Sequence, residues 1–206
     1  MVYHRYQLLR RIGGGGMGEV WIARDQQLRR DVAVKLIKAD WLSEPLARLR
    51  WAREVRALVA LEHPNIVRIF DEIEVEGTPG LVMELIDGRH LGEILSQDGP
   101  LPRSRALAIA ADLLHALDTM HARGFVHRDI KAPNVMIDAT GRVVLMDMGL
   151  VLAEADNRIT APGGIVGTPN WMAPEVMAGL KGDARIDLYQ VGLLLDRKST
   201  RLNSSH

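Results

Sequence analysis

The stretch His127-Arg-Asp-Ile-Lys-Ala-Pro-Asn134 is the most informative part of this chain of 206 residues. It brings a carboxylate, an ammonium and an amide close together in sequence, at Asp129, Lys131 and Asn134. Three further motifs follow it in order: Met146-Asp-Met-Gly149, Gly167-Thr-Pro-Asn-Trp-Met-Ala-Pro-Glu175 and Asp187-Leu-Tyr-Gln-Val-Gly192. The second half of the chain therefore carries a dense set of polar motifs that a structural role alone does not require.

The composition excludes several classes of protein. Apolar residues make up 47% of the chain, which is enough for one sizeable core. The 26 basic and 26 acidic side chains cancel, so no nucleic acid or anionic surface is expected as a partner. The absence of Cys excludes a disulfide framework and a thiolate zinc site. No run approaches the ~18 apolar residues of a membrane span, so a cytoplasmic chain is expected, although a longer parent could be membrane-anchored.

The hydrophobic pattern changes type along the chain. One helix, predicted over Glu44 to Leu61, interrupts a series of short strands, and from Leu91 onward the pattern is helical. The predicted strands cover Tyr6 to Ile12, Glu19 to Asp25, Val32 to Leu36, Val67 to Glu74 and Leu81 to Leu85. The pattern predicts an α+β chain with a β-rich N-terminal lobe over about 6–83, a hinge at 84–88 and a mainly helical C-terminal lobe over 89–195.

The last residues, 196–206, read DRKSTRLNSSH and follow the predicted helix Asp187 to Leu195 abruptly. They show no periodicity and no apolar anchor, and they resemble the in-frame translation of a common sequencing adapter. We therefore exclude them from the fold prediction and expect the natural domain, predicted over 1–195, to be cut off near Leu195.

A run of glycines near the N-terminus matches the pattern G-x-G-x-x-G-x-V through Gly13, Gly15, Gly18 and Val20. Glycines let the backbone approach a phosphate and direct its N–H groups toward the oxygens. The same run is compatible with a flexible turn, and a similar pattern marks dinucleotide-binding folds. A dinucleotide site needs a helix directly after the glycines, but Glu19 to Arg24 alternates like a strand, which favours a hairpin.

Lys35 ends the strand Asp31-Val-Ala-Val-Lys35, and Glu54 follows in the predicted helix. Glu54 borders the apolar stripe of Leu58 and Leu61, where an unpaired carboxylate is costly, so a cationic partner is expected. Lys35 is one candidate. The alternatives are a surface position for Lys35 and a contact of Glu54 with Arg50 on the same helix.

The segment His127–Asn134 resembles the catalytic loop of eukaryotic-type protein kinases, H-R-D-x-K-x-x-N. The later motifs resemble the D-F-G metal motif, with Met148 in place of Phe, the segment that ends at A-P-E, and the start of the following helix, with Gln190 in place of the usual Ser. The resemblance runs from about Tyr6 to Leu195 and is closest to bacterial serine/threonine kinases. It implies a bilobal protein-kinase fold, here with an incomplete helical lobe.

The resemblance implies transfer of the γ-phosphate of ATP to Ser or Thr hydroxyls of proteins, with ATP and Mg²⁺ as cofactors. Asp129 would accept the proton of the substrate hydroxyl, Lys131 would offset charge on the γ-phosphate, and Lys35, held by Glu54, would grip the α and β phosphates. Asn134 and Asp147 would hold the metal. The implied ATP-binding residues are Ile12, Gly13, Gly15, Gly18, Val20, Ala33, Lys35, Met83, Glu84, Ile86 and Met136.

Regulation is also implied by the resemblance. Phosphate on Thr160 would pair with Arg128, whereas Thr168 would reach Asp129 and Lys131 through its hydroxyl. Self-phosphorylation or a dimer of kinase domains is compatible with the resemblance. Two other functions remain open: a pseudokinase that binds nucleotide or acts as a scaffold without transfer, and a phosphotransferase for small molecules. The pseudokinase is disfavoured because all the polar residues that transfer requires are present: Lys35, Glu54, Asp129, Asn134 and Asp147. The small-molecule phosphotransferase is disfavoured by the segment Gly167–Glu175, which the resemblance assigns to a groove for protein substrates.

Overall fold

The computed structural model describes residues 2–3, 5–15, 18–38, 45–147, 171–180 and 182–199. The chain divides into two compact units. The first contains Met1–Glu62 and Arg68–Ile86, and the second contains His63–Val67 and Asp87–His206. The first unit is mostly strand and the second mostly helix, so the predicted α+β class is confirmed.

The first unit is built on an antiparallel sheet of six strands in the order β1-β2-β3-β4-β6-β5. The single helix predicted for it, α1 (Pro45–Val59), lies between β4 and β5 in the chain. The strands are β1 (Val2–Tyr3), β2 (Tyr6–Gly15), β3 (Gly18–Asp25), β4 (Arg30–Ile37), β5 (Ile69–Val75) and β6 (Thr78–Glu84). The β2–β3 hairpin therefore has the glycine run at its turn, as the alternation after Gly18 predicts.

The sheet of the first unit presents different side chains on its two faces, because successive residues of a strand point to opposite sides. One face carries a small apolar core of Tyr6, Ala23, Val32, Val34 and Val82, each at most 2% exposed. The β-branched residues in this core suit a pleated surface that is buried on one side.

The second unit contains a small sheet of three strands in the order β7-β8-β9, with helices around it. The strands are β7 (Gly88–His90), β8 (Val135–Asp138) and β9 (Val143–Leu145), and the helices are α2 (Leu91–Gln97), α3 (Arg103–His121), α4 (Pro174–Met177) and α5 (Arg185–Ser199). A 3₁₀ turn, Ala132–Asn134, leads directly into β8. This turn and the strand after it carry the end of the segment His127–Asn134 into the interior of the unit.

Helix α5 buries one face and exposes the other. Asp187, Gln190, Val191 and Leu194 follow the i, i+3, i+4, i+7 spacing of one helical face, and each is at most 3% exposed. Two polar residues in such a face need hydrogen-bond partners. The helix continues past Leu195 to Ser199, and the predicted adapter origin of 196–206 stays a prediction.

Candidate active site

The carboxylate of Asp129 meets an ammonium and an amide in the second unit. Lys131 Nζ and Asn134 Nδ2 each lie 2.8 Å from Asp129 Oδ2. Asn134 Nδ2 also donates to the backbone oxygen of Asp129, at 2.8 Å. Among the residues that the structure describes, Asp129 Oδ1 has no hydrogen bond. The side chain of Asp129 is 16% exposed, so this second oxygen belongs to a partly buried carboxylate that still reaches solvent.

The backbone around Asp129 is held from helix α5. Asp187, which is fully buried, accepts hydrogen bonds from the amides of His127, at 2.9 Å, and Arg128, at 2.7 Å. Its Oδ2 also lies 2.7 Å from His121 Nε2. Arg128 has a φ of 66°, a conformation that costs free energy in a residue other than glycine. The hydrogen bonds of Asp187 offset this cost and fix the direction of the loop.

The two candidate metal ligands, Asn134 and Asp147, lie on adjacent stretches of backbone. The amide of Met146, the residue before Asp147, donates to the carbonyl of Asn134 at 2.8 Å, and the Met146 carbonyl lies 2.9 Å from His127 Nε2. Because Asn134 Nδ2 faces Asp129, its Oδ1 lies on the other side of the amide group. An amide oxygen and a carboxylate are hard ligands of the kind that Mg²⁺ takes beside phosphate oxygens and water, so the donor set fits.

The described residues contain no cluster of three or more His, Cys, Asp or Glu side chains that could enclose a metal by themselves. Mg²⁺ in phosphoryl-transfer sites is commonly held by one or two protein ligands together with substrate phosphates. A site of two protein ligands is therefore consistent with the donor set that Asn134 and Asp147 supply.

The glycine hairpin of the first unit is shaped by one close backbone contact. A Cβ atom on Gly18 would lie 1.9 Å from the carbonyl oxygen of Leu36 in β4, so no other residue fits there without a shift of backbone. A Cβ on Gly15 would meet nothing within 4 Å. An exposed ion pair crosses the hairpin: Arg11 Nη1 lies 3.0 Å from Glu19 Oε1.

Four of the predicted ATP-binding residues share one face of the first unit's sheet. Val20 pairs with Lys35 across β3 and β4, and Ala33 pairs with Met83 across β4 and β6. Because directly paired and alternate residues point to the same side, all four belong to the face opposite the small apolar core. Ala33 and Met83 are buried, whereas Val20 and Lys35 are half-buried.

The remaining ATP candidates are divided between the two units. Ile12 and Gly13 belong to β2, with Ile12 43% exposed. Glu84 ends β6, with its amide donating to the carbonyl of Arg68, and Ile86 is buried just beyond it. Met136 lies in β8 of the second unit, opposite His90 and Val144, and is buried.

Several predicted residues fall where the structure gives no side-chain description. Glu54 lies within α1, but its side chain is outside the described part, so its pairing with Lys35 stays a prediction. Thr160 and Thr168 both lie outside the described residues.

Three residues that build this site have no role predicted from the sequence: His121, Asp187 and Gln190. Asp187 belonged to a quoted motif, which was the available signal. Gln190 was noted as a departure without a derived consequence, yet its buried amide hydrogen bonds to the backbone on both sides of Asp129. Its partners lie about 60 positions away in sequence, so no local pattern reveals them.

A strand-rich unit with a glycine hairpin and a helical unit with an Asp-Lys-Asn loop define the protein kinase class. The Protein kinase domain family matches this chain over residues 6–200, and the chain belongs to that family. The predicted family is thereby confirmed. Members of the family generally use ATP and Mg²⁺ and transfer phosphate to proteins.

The curated relatives are bacterial serine/threonine-protein kinases, in agreement with the predicted class. The chain is 43% identical over 196 residues to serine/threonine-protein kinase PknB of Mycobacterium leprae, covering 93% of this chain and 32% of that protein. It is 42% identical over 197 residues to PknB of Mycobacterium tuberculosis, with 93% and 32% covered. The chain therefore spans about a third of the length of these relatives.

Solved structures share the fold. The Mycobacterium tuberculosis PknI kinase domain superposes with a TM-score of 0.79 at 27% sequence identity, covering 96% of this chain and 75% of that one. The predicted protein-kinase fold is confirmed by this similarity. No helix in the described part of the chain is long and apolar enough to cross a membrane.

Proposed function

We propose that this chain transfers the γ-phosphate of ATP to Ser and Thr hydroxyls of proteins. The observation that carries the proposal is the cluster of Asp129, Lys131 and Asn134, in which both neighbours contact one carboxylate oxygen, Oδ2. A substrate hydroxyl would donate to the other oxygen, Oδ1. The names of the relatives support the choice of Ser and Thr.

The substrate oxygen bonds to the γ-phosphorus while the bond between that phosphorus and the β–γ bridging oxygen breaks, so ADP leaves with the electron pair. The hydroxyl proton passes to Asp129 Oδ1. Lys131, 2.8 Å from Oδ2, carries a positive charge beside the transferred group and orients the carboxylate.

The resemblance to protein kinases also assigns residues that would bind the nucleotide. Lys35 would contact the α and β phosphates, and the backbone of the Gly13–Gly18 hairpin would cover them. Mg²⁺ would be held by Asn134 and Asp147, and when bound it neutralises phosphate charge. Lys131 resembles the Lys of serine/threonine kinases, which supports this hydroxyl class.

Phosphorylation of Thr160 is proposed as the regulatory step, through pairing with Arg128, and self-phosphorylation or a kinase dimer would be ways to reach it. Thr160→Ala is expected to lower transfer, and phosphatase treatment of the wild-type chain to lower it equally. Full activity of the variant together with no loss after phosphatase treatment would reject this step.

The experiment incubates the purified chain with γ-labelled ATP, Mg²⁺ and a generic protein substrate. We expect label on Ser and Thr, no label with a chelator, and no label with Asp147→Asn. Asp183→Asn, which changes an exposed carboxylate (side chain 58% exposed) of the same unit, should label like the wild type. A folded wild-type chain that transfers no label would reject the enzyme in favour of a pseudokinase, and label on Tyr would reject the hydroxyl class.

A further inference from the structure

Gln190 of helix α5 uses its whole side-chain amide to bind backbone. Its Oε1 accepts from the amide of Ile130 at 2.8 Å. Its Nε2 donates to the carbonyl of Arg128 at 3.0 Å and to the carbonyl of Trp171 at 3.1 Å. Gln190 is 3% exposed. Its hydrogen bond with the Ile130 amide is buried, and the two to the carbonyls of Arg128 and Trp171 are partly buried.

Two of these backbone groups flank the candidate base. Arg128 and Ile130 are the residues directly before and after Asp129, and Gln190 holds one group of each. Asp187, one turn earlier on the same face of α5, holds the amides of His127 and Arg128. Asp187 fixes the entry to the loop, whereas Gln190 fixes the two peptides that direct the Asp129 side chain.

The third hydrogen bond reaches a different motif. Trp171 belongs to the segment Gly167–Glu175, which is predicted to shape the groove for proteins. The carbonyls of Trp171 and Arg128 both accept hydrogen bonds from Gln190 Nε2. One side chain therefore connects the backbone at the candidate base with this segment.

Only an amide of this length has the required set of groups. Gln offers one acceptor oxygen and two donor hydrogens, and all three are used here. A Ser hydroxyl has a single donor and a shorter reach, and Met fills a similar volume without any hydrogen bond. Loss of the amide removes the acceptor of the Ile130 N–H in a buried place, and it removes one donor from each of the carbonyls of Arg128 and Trp171.

We propose that Gln190 is a positioning residue for phosphoryl transfer: it fixes the backbone on both sides of Asp129 and couples it to the segment around Trp171. The proposal rests on the proposed function for its kinetic part. The placement of Asp129 matters because displacing a catalytic group by about 1 Å can reduce a rate by ~100-fold.

The test compares Gln190→Met and Gln190→Ser with Val191→Ala in the full chain. Val191 is the neighbouring buried residue of α5, at 3% exposure, so its truncation loosens the helix without changing a hydrogen bond to the loop. Hydrogen exchange at the Ile130 amide is measured first. We expect exchange at least ~10-fold faster in Gln190→Met than in Val191→Ala at matched stability, with Gln190→Ser also faster than the control.

Steady-state kinetics give the second measurement, corrected for the folded fraction. We expect kcat to fall at least ~10-fold in Gln190→Met, with the KM for ATP within about twofold of wild type, because Gln190 is not among the residues proposed to bind the nucleotide. Val191→Ala should keep its kcat per folded molecule.

The two measurements separate the possible failures. If the wild-type chain transfers no phosphate, the proposed function fails, and the exchange data still report whether Gln190 holds the loop. Unchanged exchange at Ile130 in Gln190→Met overturns the inference whatever the activity. A kcat loss equal in Gln190→Met and Val191→Ala also overturns it, because it assigns Gln190 a role in stability alone.

Discussion

The loop His127–Asn134 and the glycine hairpin are held in place in opposite ways. The loop of the second unit is fixed by a buried polar group. Asp187, which is fully buried, accepts hydrogen bonds from two backbone amides and contacts His121. The tip of the hairpin in the first unit is crossed by Arg11 and Glu19, whose side chains are 54% and 40% exposed. Buried charged hydrogen bonds are costly to break, whereas exposed ion pairs contribute little. The loop is thus rigidly placed, and the hairpin tip depends on glycine geometry.

The first prediction probes the buried side of this contrast. Asp187→Asn replaces one carboxylate oxygen with an NH₂ group. This group would then face at least one of the three partners of Asp187, which are the amides of His127 and Arg128 and the Nε2 atom of His121. We expect a loss of roughly 3–5 kcal/mol in the free energy of unfolding, measured by denaturant titration. Asp183→Asn changes an exposed carboxylate near the start of the same helix, and it should leave the denaturant concentration at the unfolding midpoint nearly unchanged. Equal effects of the two variants would refute the special role of Asp187.

The second prediction tests whether geometry fixes the hairpin. Gly18→Ala places a Cβ where the carbonyl of Leu36 lies and should cost roughly 2–3 kcal/mol by shifting β3 against β4. Gly15→Ala, with nothing within 4 Å, should change the free energy of unfolding by less than about 1 kcal/mol. Thermal unfolding of the two variants under the same conditions measures this difference in stability. A harmless Gly18→Ala would show that the contact with Leu36 does not constrain the hairpin.

The third prediction concerns the other end of the same hairpin. Asp25 is fully buried and accepts hydrogen bonds from Arg5, which lower its pKa from 3.8 to about 2. Because the pKa is depressed in the folded state, this pair stabilises the fold above about pH 4, and the contribution of about 1–2 kcal/mol is lost as the pH falls toward 2.

Asp25→Asn should therefore be less stable than the wild type at neutral pH, and the difference should shrink as the pH falls from 4 to 2. Denaturant titrations at several pH values measure it. A difference that stays constant with pH would show that ionisation of Asp25 contributes nothing to stability.

The smallest effect is expected for the exposed pair at the hairpin tip. Arg11→Gln should cost less than about 1 kcal/mol at low ionic strength, and less still in high salt, since exposed pairs are screened. Unfolding titrations at two salt concentrations measure the effect. If Arg11→Gln lowered the free energy of unfolding as much as Asp187→Asn does, the proposed contrast between the hairpin and the loop His127–Asn134 would be wrong.

Local patterns predicted much of the fold and part of the site. The alternation of Glu19 to Arg24 indicated a hairpin, and β3 covers Gly18–Asp25. The segment His127–Asn134 indicated the place where Asp129, Lys131 and Asn134 meet, because these residues are close in sequence and a single turn brings them together. Both features depend only on residues that are close together in the sequence.

Features that depend on distant partners were not predicted. Val67 was expected to begin a strand, but β5 begins at Ile69. Val67 belongs to the second unit, where its amide donates to the carbonyl of Leu145 in β9. No local pattern indicated the role of Gln190, because its partners lie at Arg128, Ile130 and Trp171. The requirement for Gly18 was expected from phosphate binding, and the structure adds a second reason in the carbonyl of Leu36.

The assignment of Asp129 as the base is tested most directly by the kcat of Asp129→Asn in label transfer from ATP, at equal folded fraction. Removing a general base that is fixed by Lys131 and Asn134 should lower kcat by roughly 100- to 10,000-fold and leave the KM for ATP within about twofold. Equal labelling by Asp129→Asn and the wild type would show that the proton is taken elsewhere and would contradict the assignment.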